Sequence, residues 1–130
     1  MNTISDVLKN LEIFNTVVGA KDSDIKNYEA QLSCTFSKDY KLFLKEFGFV
    51  VFEGHEIIGF SKIKRMNVVN VTLKERECNP DVSKDWYVVE QLHIDGIVIW
   101  QSSSGKIYQT APGSKPEKIC SSLAEYIQLD

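Results

Sequence analysis

A chain of 130 residues sits near the commonest size for one domain and can bury roughly two-thirds of the surface its unfolded form exposes, so it needs neither disulfide nor metal to hold a core. Hydrophobic residues make up 43% and charged residues 25%, which excludes a disordered chain. The formal net charge of -3 arises in the second half, since residues 1–65 carry nine Lys/Arg against nine Asp/Glu and residues 66–130 carry six against nine; this argues against direct nucleic-acid binding and fits a basic protein partner.

Residues 4–18 place Ile4, Leu8, Leu11 and Phe14 at helical spacing, with Ser5 or Asp6 as N-cap and residues 17–20 as the end of the element. A second helix starts at a capping Asp22 or Ser23 and aligns Ile25, Tyr28, Glu29 and Leu32. A third starts at Ser37, with Phe36 as the hydrophobe before the cap. Its apolar stripe is Tyr40, Phe43, Leu44 and Phe47, and Gly48 stands where a helix-ending glycine belongs. Phe49–Phe52 reads as a strand, residues 53–56 as a turn, and Ile57–Phe60 as the return strand. Residues 66–77 read as a short helix capped by Asn67 that buries Val69 and Leu73, broken by Asn79-Pro80-Asp81. Strands follow at Trp86–Leu92, Ile97–Gln101 and Lys106–Thr110, separated by turns at Asp95-Gly96 and Ser103-Ser104-Gly105. Residues 111–118 read as a loop, and Ser121 or Ser122 caps a last helix carrying Leu123, Tyr126 and Ile127. The order predicts a single α+β domain over 1–130: an antiparallel, mainly meander β-sheet, with N-terminal helices and a C-terminal helix packed on it.

The three cysteines, Cys34, Cys78 and Cys120, are odd in number, widely spaced and without a CxxC pair, a poor disulfide framework. Cys34 and Cys120 are expected buried and Cys78 more exposed. The first ten residues lack a basic and an apolar region, and no apolar run reaches membrane-spanning length, so a cytoplasmic location away from membranes is expected.

Catalytic chemistry finds little support. His55 lies in a predicted turn beside Glu56, and His93 lies near Asp95, as ordinary exposed turn residues. No nucleophile elbow is present. The ligand pairs of zinc sites are missing. Residues 102–106 look like a phosphate loop, but Trp100 stands where the first glycine belongs and Ile107 follows Lys106. The carboxylate pairs Asp22/Asp24, Glu53/Glu56 and Glu75/Glu77 read as helix caps and solvated turns rather than glycosidase acids. No catalytic, cofactor or metal residue is expected, and binding is favoured over catalysis. Trp86 and Trp100 start or end strands, and whichever is partly exposed, beside Asp85 or Glu90, suits an interface anchor.

The run Ile25-x-x-Tyr28-Glu29-x-x-Leu32, followed by Phe36-Ser37-Lys38-Asp39-Tyr40 and Phe43-Leu44 to Phe47-Gly48, resembles the SUKH superfamily, with Ser37 where that family usually has Pro. Further matching features are Glu56-Ile57-Ile58-Gly59, Val68-Val69 to Arg76, Trp86 to Glu90, Asp95-Gly96, Ser104 to Tyr108, and Ser122-Leu123-x-Glu125-Tyr126-Ile127. The resemblance runs from about Asp22 to Leu129. It includes the Smi/Knr-like cell-wall assembly regulators and many bacterial immunity proteins. For a chain of this length it implies an immunity protein that binds a cognate toxin domain, often a nuclease, and blocks it. The alternative is a regulatory scaffold or small-ligand binding module of the Smi/Knr-like type. The expected interface residues are Glu53, Glu56, Asp85, Trp86, Glu90 and Asp95, placed at turns and strand starts near the exposed sheet edge. A small hydrolase built on His93 and Asp95 is the third reading.

Overall fold

A computed structural model describes residue 4 and residues 19–129. The helix expected over residues 4–18 lies, apart from Ile4, outside them. The described elements are helix α1 (Asp22–Leu32), helix α2 (Lys38–Glu46), strands β1 (Val50–Phe52) and β2 (His55–Ile57), a 3-10 turn (Lys64–Met66), helix α3 (Val68–Cys78), strands β3 (Tyr87–Gln91), β4 (Val98–Gln101), β5 (Ile107–Thr110) and β6 (Glu117–Cys120), and helix α4 (Leu123–Ile127). Strands β3-β4-β5-β6 form an antiparallel meander, and β1-β2 a separate hairpin, the α+β architecture expected.

Helix α1 begins one residue earlier than its spacing suggests: Lys21 is the N-cap, and its N–H donates to Asp24 at 2.9 Å. Asp22 and Asp24 lie in the first turn, where carboxylates complement the exposed N–H groups. Helix α2 is capped as expected, with the Ser37 hydroxyl accepting from the Tyr40 N–H. It ends at Gly48, whose φ of 74° suits glycine. Tyr40, Phe43 and Leu44 are buried, and Tyr40 packs within 4.8 to 5.6 Å of Tyr87, Phe36 and Phe43. This aromatic cluster fills the space between the N-terminal helices and one face of the sheet. A second, smaller apolar cluster of Ile58, Met66, Val71, Val88, Val98 and Trp100 lies apart from it.

Four expectations need correction. The turn after β1 is only Glu53-Gly54, both at positive φ, so His55 and Glu56 are strand residues and the return strand ends at Ile57. Beyond it, Ile58 donates instead to the Val89 carbonyl, and Gly59 packs so tightly that a Cβ there would lie 2.1 Å from the Gly48 oxygen. Leu73 is exposed, not buried: α3 turns Val68, Val69, Val71 and Thr72 inward. The segment expected to be a loop contains β6, paired with β5.

Candidate interaction surface

The register of β3 against β4 shifts between Val88 and Glu90. Val88 pairs with Trp100, in the second apolar cluster, whereas Glu90 pairs with Ile99, in the main core. Strict alternation would leave Trp86, Val88 and Glu90 on one face; the bulge re-aims Glu90 to the other. Glu90 is therefore not an exposed edge residue, as its sequence position suggested, but only 2% exposed. Three groups from two elements, α4 and β2, converge on its carboxylate. Tyr126 on α4 donates its hydroxyl to Oε1 at 2.5 Å, the Glu56 N–H donates to Oε2 at 2.9 Å, and His55 Nδ1 lies 3.1 Å from Oε1. His55 itself stacks on Phe52 and is half-buried, which corrects its reading as an exposed turn residue. Burial, and then the Glu90 charge, push the Tyr126 phenol far above its ordinary range.

This network fixes the β1-β2 hairpin against the sheet and so positions Glu56 beside the β3-β4 loop. Glu56 pairs with Arg65 at 2.6 Å and lies 3.9 Å from His93. Asp95 and His93 are exposed in that loop, both at positive φ. Glu56 thus lies by the loop that carries Asp95, and Glu53 lies in the turn of the same hairpin.

Asp85 and Trp86 lie at the other end of β3, roughly 17 Å away for a five-residue strand. Burial acts to raise the Asp85 carboxyl, but hydrogen bonds from Ser83 and Ser103 outweigh it and hold the group below its ordinary range. Trp86 is half-buried and stacks on Tyr108, with ring centroids 4.1 Å apart and planes within 15°. Beneath them Trp100 is fully buried and donates its indole N–H to Thr110 at 2.8 Å. Tyr108 was not singled out in the sequence, although its place in the meander, directly opposite Trp100, is the signal that would have found it.

Other polar residues of the sequence signature hold the scaffold. Glu29 accepts the Phe36 N–H at 2.7 Å. Asp39 accepts from the Ser37 hydroxyl, the Gln101 amide and the Leu123 N–H. Arg76 donates to the Leu32, Lys84 and Trp86 carbonyls. A groove of about 650 Å³ between α2 and α4 is lined by Leu42, Asp39, Ala124 and Gln128 among others. Among the described residues no three His, Cys, Asp or Glu side chains are placed to hold a metal ion, and no helix is long and apolar enough to cross a membrane. Cys120 is buried, Cys34 half-buried and Cys78 exposed.

A SUKH family model described as SMI1-KNR4 cell-wall matches residues 1–128. A search of curated proteins found no match.

Proposed function

The chain belongs to the SMI1-KNR4 family, and we propose that it is an immunity protein, binding a toxin domain and neutralising it by occlusion. The observation that carries this reading is the use to which its hydrogen-bonded ionic groups are put. Glu90, its neighbour His55, and the Asp39 and Arg76 brackets hold elements together through hydrogen bonds, Asp39 at the wall of the groove between α2 and α4. What the scaffold offers outward is surface: carboxylates at one end of β3, and a stacked, half-exposed aromatic pair at the other. Glu53, Glu56 and Asp95 would steer a basic partner such as a nuclease domain, Asp85 and Trp86 would contact it, and Glu90 acts by holding the hairpin in place. The test is co-expression with the toxin domain encoded beside it: rescue of growth and co-purification are expected, and failure of both rejects the reading.

The groove between α2 and α4 favours a second reading, a regulatory module that binds a small ligand. A metabolite that raises the melting temperature, with an effect abolished by Leu42→Trp, would support it; a thermal-shift screen without hits would count against it.

A further inference from the structure

We propose that the Trp86–Tyr108 stack, rimmed by Lys106 and Lys118, is a docking shelf for a protein segment that carries carboxylates beside an apolar side chain. The proposal deepens the toxin-binding reading and rests on it for the partner's identity, but not for the chemistry of the shelf.

The two rings lie face to face on the sheet surface above the buried Trp100, so the shelf is rigid before anything binds. Rigid, half-exposed aromatic side chains lose little entropy when covered, which is why they anchor interfaces. Asp85, the residue before Trp86, accepts hydrogen bonds from Ser83 and Ser103. Lys118 stands directly opposite Tyr108 in the β5-β6 ladder, and Lys106 lies two residues before Tyr108, at the start of β5. Both lysines are exposed, and among the described residues neither has a carboxylate at ion-pair distance, whereas Lys41 and Lys45 do, at 3.7 and 2.6 Å. The shelf therefore presents unneutralised ammonium groups around an apolar surface, while the hairpin end of β3 presents carboxylates.

The test has two arms. In the first, calorimetry measures binding of the neighbouring toxin domain to the full chain. Trp86→Ala is expected to weaken it by roughly thirtyfold or more. The pair Lys106→Glu and Lys118→Glu, on exposed positions that do not threaten folding, is expected to weaken it roughly tenfold with a shallower salt dependence. Lys26→Glu, the same charge change on exposed α1, should leave it unaltered. Unchanged affinity in the shelf variants overturns the shelf and leaves the toxin reading standing.

In the second arm, a peptide of alternating Glu and Leu is titrated into the wild-type chain while the backbone resonances of Trp86, Tyr108 and Lys118 are followed. Shifts at these positions, lost in the lysine double variant and not produced by a Lys/Leu peptide, support the shelf even if the toxin domain fails to bind. No shift with the acidic peptide, or shifts with an oligothymidylate alone, overturns it.

Discussion

The Tyr126 hydroxyl donates to the buried carboxylate of Glu90, joining the last helix of the chain to the centre of the sheet. The same carboxylate holds the Glu56 N–H, so helix α4 and the β1-β2 hairpin share one acceptor. Removing the phenol oxygen should therefore affect both elements. Tyr126→Phe is expected to cost about 1.5 to 3 kcal/mol, the range for a hydrogen bond to a charged group. A cycle with Glu90→Gln should give a coupling energy of about 0.5 to 3 kcal/mol, measured by urea unfolding. Additive losses would mean that the two groups do not act together.

Asp39 satisfies the first N–H of α4 at 3.0 Å while also bonding Ser37 and Gln101. Asp39→Ala leaves three donors without that acceptor, and a loss of about 3 kcal/mol is expected. Asp39→Asn, which keeps one oxygen, should lose less. Circular dichroism melts of the two variants check the order.

Arg76 reaches carbonyls on both sides of α3, two at 2.8 Å and one at 3.2 Å. Lysine carries the charge but not the planar fork. Arg76→Lys should cost about 1 to 3 kcal/mol in denaturant unfolding, and loosen the loop that leads into Trp86.

Alkaline titration gives a signed prediction. Burial raises the phenols of Tyr40, Tyr87 and Tyr126 above the ordinary value of 10.0, so the folded chain keeps protons that the unfolded chain releases. Their contribution is whole below pH 10 and is lost as the pH climbs above it. Phenolate absorbance for these three should appear together with unfolding, not before it.

Burial likewise raises the Cys34 and Cys120 thiols, whereas Cys78 is exposed at the end of α3. A disulfide reagent should consume one thiol quickly and the other two roughly tenfold or more slowly, in step with local opening. Cys78→Ser removes the fast phase.

Much of this fold was legible from local rules. Ser37 with Gly48, and Asn67 with Asn79-Pro80, marked α2 and α3 because capping chemistry acts within a few residues of itself. Strand β6 was not legible: Glu117-Lys118-Ile119-Cys120 has no apolar alternation, and it is a strand because β5 offers it a ladder. His55 and Glu56 read as turn residues because Gly54 and its neighbours all favour turns, and only the cross-strand pairing Phe52↔His55 settles where the turn stops.

By itself, the sequence determined helices α1 to α4, the aromatic core they carry and the first three strands of the meander, since these follow from spacing, caps and turn residues. Tertiary structure alone decided that Glu90 lies inside while Trp86 remains half outside, and that Trp86 meets Tyr108. The physical reason is the shifted register between Val88 and Glu90. A one-residue slip in a ladder exchanges the faces of every side chain beyond it, and the partner strand, not the residues of β3, sets that slip.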